Sequence, residues 1–338
     1  MTSPAAIRDH LPLVAIILLG AALRIYNLGA ESIWLDEALS WQQARLPLNE
    51  MLRSVAADVH PPLFALILHT TISLFGDSEF AMRLPSAFFG TVSIWLTWAV
   101  CRQLFNHQVA LLAALLAAVS VFAVRYSQEI RMYSLSSCLA LLSMLFLLRL
   151  LDANAREKTN VHTIAYCVSS TLLIYSHIYG LFIIMMQNVY VFGLLNMRPS
   201  TPLSLRRWLI MQLVLAIAFL PWVSVLLDQI SRTQTNFWLQ KPDSGNLIET
   251  FRLYMGSMVA LWLSLVAVSA GFIALCMRRT TNLSGSHPGN AWVLLGLWLL
   301  IPVLLSFLLS QFTQPFYNAR YTIVSTPAWT LLTAAGLM

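Results

Sequence analysis

Charge is what this sequence has least of. Only 10% of its 338 residues are Asp, Glu, Lys or Arg, while 58% are hydrophobic; the mean hydropathy is +0.72. Soluble domains carry about 25% charged residues. That shortage excludes a water-soluble globule, which would expose large apolar patches, and leaves a polytopic membrane protein. Strand-like alternation is missing too. The apolar runs are continuous and about 17–23 residues long, so helices, which satisfy their own backbone hydrogen bonds in lipid, are expected rather than a barrel. Cysteine is scarce. Cys101, Cys138, Cys167 and Cys276 lie in or beside apolar runs without CxxC spacing, and read as buried free thiols. Low-complexity segments and internal repeats are absent. The first apolar run lacks a small-residue cleavage site, so no cleavable signal is expected. The net charge of +6 does not imply nucleic acid, because the basic residues are scattered in twos and threes over many loops, as topology signals are.

The expected fold is all-α. It is a single membrane-embedded domain over residues 1–338 with about ten transmembrane helices. Spans are expected near 11–28, 83–103, 108–124, 132–150, 162–176, 180–197, 208–226, 255–277, 291–311 and 321 onward. Charge balance supports this arrangement. Ten of the twenty basic residues then share one side with only Asp9, Asp152 and Glu157, whereas the other ten face eleven acids. The positive-inside rule makes the first side cytoplasmic. It also argues against a crossing at 61–76, since that would send every later basic loop outward. This segment is therefore expected to be an interfacial or re-entrant helix within a first outer loop at 30–82. Within that loop, Leu48, Met51, Leu52, Val55 and Ala56 recur at helical spacing and predict an amphipathic helix over 48–57. Leu35, Leu39 and Leu46 suggest a weaker helix before it. The last expected span runs into Met338, so the natural chain is expected to continue beyond it.

Polar residues gather on the outer side. Asp36 and Glu37 are either a helix start favoured by the helix dipole or a general base whose pKa is raised beside apolar surface. In Asp58-Val-His60-Pro-Pro, the imidazole either holds its loop together or faces a phosphate. With the two acids, Asp58 and His60 leave a divalent metal open, although the spacing fits no compact motif. Arg125, Glu129, Arg131 and Tyr133 lie together between two spans. The arginines either snorkel and pair with acids or bind phosphate, which a guanidinium grips bidentately. His177 sits in a tight turn between Tyr175 and Tyr179, which also suit interfacial aromatics. Arg320 and Tyr321 open the last span, and Arg320 is another phosphate candidate. Lys241 and Arg252 are weaker ones.

Taken in order, WLDEALS, DVHPPLF, FAMRLPSAFFGTVSIW, RQLFNHQVALLAALLAAVS, RYSQEIRMYSL and ARYTIVSTPAWTLL resemble one family over residues 11–338. The chain is similar to polyprenyl-phosphate-sugar-dependent glycosyltransferases of the GT-C class. The nearest branch is the bacterial one related to protein O-mannosyltransferases and aminoarabinose transferases (the RgtA/B/C/D-like group). The resemblance implies an inverting sugar transfer with Asp36 as the base that deprotonates an acceptor hydroxyl. Glu37 stands beside it, and Asp58 and His60 match family positions. Arg125, Arg131 or Arg320 would stabilise the leaving phosphate. The implied partners are a polyprenyl-phosphate-linked sugar, membrane lipids and a glycan, lipid or protein acceptor, with no nucleic acid. No cofactor is implied for certain. The implied location is the plasma (inner) membrane, with the active site on the extracytoplasmic side. The reading from a different class is a transporter or flippase of a lipid-linked sugar; charges kept at the span ends rather than the midplane count against it.

Overall fold

The computed structural model describes residues 4–152, 159–197, 202–233, 239–278 and 288–338. They form sixteen α-helices, with no strand among the described residues. The first nine are α1 (Pro4–Ile25), α2 (Leu35–Ala44), α3 (Leu48–Ala57), α4 (Leu63–Phe75), α5 (Glu79–Leu104), α6 (His107–Val119), α7 (Val121–Ser127), α8 (Tyr133–Leu151) and α9 (Thr159–Ser176). Then come α10 (Gly180–Met197), α11 (Leu205–Thr233), α12 (Ser244–Met255), α13 (Met258–Arg278), α14 (Pro288–Leu300), α15 (Ser306–Phe312) and α16 (Thr326–Leu337).

Six helical runs are long and apolar enough to cross a bilayer: α5, α8, α10, α11, α13 and the α14–α15 run Gly289–Phe312. The pair α6 and α7, bent by 56°, makes a seventh when taken as one span. The other three expected positions fall on α1, α9 and Tyr321–Leu337, which are shorter or more polar. In the α14–α15 run, Pro302 removes a backbone donor, and the chain passes through a π-helical turn at Ile301–Leu305.

The α6–α7 bend has its own support. Ser120 interrupts the helix in an extended conformation and caps α7 by accepting from the Ala123 N–H at 3.3 Å. The Arg24 guanidinium, buried on α1, donates to the Ala117 and Ala118 carbonyls at 3.1 and 3.0 Å. Those are the oxygens that α6 leaves without helical partners where it ends.

Helix α8 is the hub. Nearly all of Tyr133–Leu145 is buried, and the helix packs on α5 and α9. A polar ladder joins it to its neighbours. Ser143 meets Ser170 at 2.8 Å and accepts from Gln187 at 3.0 Å, Tyr166 donates to Gln187 at 2.8 Å, and Asn188 donates to Gln212 at 3.0 Å. Such bonds hold helices together where lipid provides no hydrophobic drive. Helices α11 and α13 lie outermost and keep Leu209, Ile217, Leu220, Trp262 and Val266 exposed. All four cysteines are free. Cys101 and Cys138 are buried as expected, but Cys167 is half-buried and Cys276 is exposed on α13.

The first loop is a compact cap of three helices. Met51 and Val55 form the buried stripe of α3. Helix α4 has 13 residues, about 20 Å at 1.5 Å per residue, too short for a hydrocarbon core of about 30 Å. It packs instead on α2, α3, α5 and α9. His69 on α4 meets the Ala44 carbonyl at the end of α2, at 2.8 Å. Helix α11 runs to Thr233 rather than stopping near 226. Its last turns carry Gln229 and Arg232, which donate to the final carbonyls of α3, Arg232 reaching Ala56 and Ala57 at 3.0 and 3.2 Å. A cation is favourable at that end of a helix dipole.

Candidate functional site

Glu37 is the foundation of the site. Its backbone sits in the first turn of α2, and its carboxylate returns to the Trp34 N–H at 3.3 Å, closing the helix start. The side chain is fully buried. It accepts both Nε and Nη2 of Arg83, on α5, at 3.0 and 2.8 Å, and the Ile130 N–H at 2.8 Å. Arg83 also holds the Leu28 and Glu31 carbonyls at 3.0 and 2.8 Å. One buried ion pair thus ties the end of α1, the start of α2, α5 and the α7–α8 turn together.

Asp36, its neighbour, turns the other way. It is half-buried, and its Oδ2 meets Arg320 Nη1 at 2.8 Å from the far end of the chain. The Arg320 guanidinium lies over the rings of Trp34, Tyr133 and Tyr321, with centroids 5.8, 5.9 and 5.4 Å away. Arg131 reaches in from the α7–α8 turn. It donates to Ser40 Oγ at 3.0 Å and to the Asp36 carbonyl at 3.3 Å, and it meets His60 Nε2 at 2.8 Å. Its own carbonyl is held by Ser86 at 3.0 Å. His177, from the α9–α10 turn, packs 5.7 Å from His60 and 5.1 Å from Tyr321, ring to ring. Tyr133 stacks on Tyr321 at 6.3 Å.

Seven of the residues singled out in the sequence therefore meet: Asp36, His60, Arg131, Tyr133, His177, Arg320 and Tyr321. They come from five separate segments. The others do not join them directly. Asp58 closes α3 and accepts from Gln43 at 3.3 Å, which fixes the link that carries His60. Glu37 lies beneath the cluster with its oxygens occupied. Arg125 is 69% exposed and pairs with Glu129 at 3.6 Å. Lys241 is exposed and Arg252 pairs with Glu249 on α12. Tyr179, which suited an interfacial aromatic, is fully buried and donates to the Phe316 carbonyl at 3.2 Å. Three contributors went unnoticed in the sequence: Trp34, Ser40 and Arg83. Arg83 had a signal, as a lone cation at the head of an apolar run, where a partner is required.

The electrostatics favour an anion. The cluster holds two guanidiniums, two imidazoles and two phenols against the single carboxylate of Asp36. Arg131 Nε, Tyr133 Oη and His177 Nε2 are buried without a hydrogen-bond partner, which leaves polar groups there that a ligand could satisfy. Burial pushes Glu129 up to about 7 against the opposing pull of Arg125. No group of three or more His, Cys, Asp or Glu side chains converges as a metal site among the described residues.

The chain is an integral helical membrane protein, and the solved structures on which it superposes give it the GT-C fold. Residues 59–225, just under half of it, match the family described as dolichyl-phosphate-mannose-protein mannosyltransferase. ArnT from Cupriavidus metallidurans in the apo state superposes with a TM-score of 0.68 at 15% identity, over 96% of this chain and 59% of that one. The same protein bound to undecaprenyl phosphate gives 0.65 at 14% identity, over 96% and 59%. The Archaeoglobus fulgidus oligosaccharyltransferase tethered with an acceptor peptide gives 0.63 at 13% identity, over 97% and 49%. The chain thus spans about three fifths of ArnT's length. No curated protein matches it in sequence.

Proposed function

We propose that the chain transfers a sugar from a polyprenyl-phosphate donor to a hydroxyl of a cell-envelope lipid, glycan or protein. The observation that supports this best is the meeting of Asp36 with Arg320, 2.8 Å apart, at the rim of a buried, donor-rich cluster. A phosphodiester offers acceptor oxygens and negative charge, which such a cluster suits. The undecaprenyl phosphate held by ArnT belongs to this ligand class.

In this reading Arg320 and Arg131 take the phosphate, and Arg320 leaves Asp36 as it does so. Asp36, released, accepts the proton of the acceptor hydroxyl as its oxygen attacks the anomeric carbon. Attack opposite the departing phosphate inverts the configuration. The bond to the phosphate oxygen breaks, and the polyprenyl phosphate departs with the electron pair. Glu37 and Arg83 do not touch the reactants; they hold the first turn of α2, and so Asp36, in place. The cluster lies at the start of α8 and beside the head of α5, whereas Arg149 and Arg102 lie in the last turns of those helices. By the positive-inside rule the cluster's end is extracytoplasmic, as in a plasma-membrane enzyme of the cell envelope.

The test is transfer by the purified protein in lipid nanodiscs, with a labelled polyprenyl-phosphate sugar and an envelope extract as acceptor. Labelled product is expected, and its loss in Asp36→Asn. Movement of labelled lipid across vesicles without transfer would instead support a flippase.

A further inference from the structure

The hydrogen bonds of the cluster define the tautomers of both imidazoles. A guanidinium only donates. Arg131 Nη2 lies 2.8 Å from His60 Nε2, so that nitrogen accepts and the His60 proton sits on Nδ1. His177 Nδ1 accepts the Tyr179 backbone N–H at 3.1 Å, so the His177 proton sits on Nε2. That N–H is buried and has no partner in the fold.

The surroundings keep both rings neutral. His177 is faced by Arg131 and Tyr133 from the start of α8, by Arg320 and Tyr321 from the last segment, by His60 from the cap and by Tyr179 from its own turn. Both charged members are cations. Burial, then Arg131 and Arg320, push His177 down to about 3. Burial and the same arginines, with His177, push His60 well below its ordinary value.

We propose that His177 is a neutral hydrogen-bond donor, fixed by the Tyr179 backbone, whose Nε2–H binds a phosphoryl oxygen of the donor substrate, and that neither imidazole moves a proton during transfer. The inference rests on the lipid-phosphate reading above. The chemistry balances without an imidazole acid. The acceptor proton goes to Asp36, the new bond joins the acceptor oxygen to the anomeric carbon, and the departing phosphate keeps the electron pair as an anion. A neutral donor adds polarity to the phosphate site without a group that titrates near neutrality.

Two measurements test this. The first needs no turnover: nitrogen-15 NMR of histidine-labelled protein in nanodiscs, with His177→Gln used to assign the signal. His177 is expected as the neutral Nε2–H tautomer throughout pH 5–8. An imidazolium at pH 6, or a proton on Nδ1, overturns the proposal. The second is transfer kinetics. His177→Leu is expected to lose about 10²-fold in kcat/KM for the donor, the usual scale for one missing donor to a reacting oxyanion. His177→Gln, whose amide keeps an N–H in reach, is expected to recover most of that. A Gln variant as impaired as Leu, or a wild-type pH limb near 6 that Gln removes, overturns it. If no polyprenyl-phosphate sugar is turned over at all, the functional reading fails, while the tautomer result still reports on His177.

Discussion

The carboxylates of Asp36 and Glu37 are neighbours in sequence and occupy opposite environments. Glu37 is fully buried against Arg83, with a backbone N–H from the α7–α8 turn. Asp36 stands half-exposed with Arg320 alone on its Oδ2. One turn of helix explains this. Successive side chains on α2 point about 100° apart, so only one of the pair can face the α5 wall.

The two acids should therefore fail differently when changed. Asp36→Asn is expected to keep the fold and lose about 10²–10⁴-fold in transfer rate, the scale of a missing general base. Thermal unfolding in detergent should show little change beside the lost activity.

Glu37→Ala is expected to destabilise the protein by about 3–5 kcal/mol, because it strands Arg83 without its counter-ion in a dry site. The readout is a lowered unfolding midpoint. An unchanged midpoint would mean that Arg83 finds another partner.

The arginines should separate in the same way. Arg320→Ala is expected to raise KM for the lipid-linked donor at least tenfold, through loss of a charge-assisted contact. Arg125→Ala removes an exposed guanidinium that stands outside the cluster on Glu129, and should leave donor KM within about twofold.

Glu129 gives a pH signature. Burial raises its pKa from 4.5 to about 7, so the fold favours its protonated form. That contribution is complete below pH 4.5 and is lost as pH rises through 7. Glu129→Gln should thus be more stable than wild type at pH 8, by about 1–3 kcal/mol. At pH 5 the difference should shrink towards zero. Unfolding midpoints at both pH values check it.

Arg24→Met is expected to cost about 1–3 kcal/mol, since the carbonyls of Ala117 and Ala118 would stay buried without a donor. Thermal unfolding tests this.

Much of the architecture was legible in the residues. The all-helical bundle followed from continuous apolar runs, and the short helix after Pro61-Pro62 from charge balance in distant loops. The amphipathic stretch 48–57 appears as α3 at Leu48–Ala57. Seven cluster residues could be singled out because polar side chains are conspicuous at the ends of apolar segments. The extension of α11 to Thr233 was not legible, because capping α3 is a contact between segments more than 170 residues apart. Nor were the roles of Arg83 and Arg24, because a buried cation looks the same in sequence as a topology signal.

Hydropathy and charge placement by themselves determined the class, the helices and the face on which polar residues collect, since those depend on each segment's own exchange between water and lipid. Which acid faces the cluster, which arginine meets it, and which nitrogen of each histidine carries the proton were decided only by the tertiary structure. Those properties belong to pairs of groups brought within about 3 Å of each other, and no single segment contains both members.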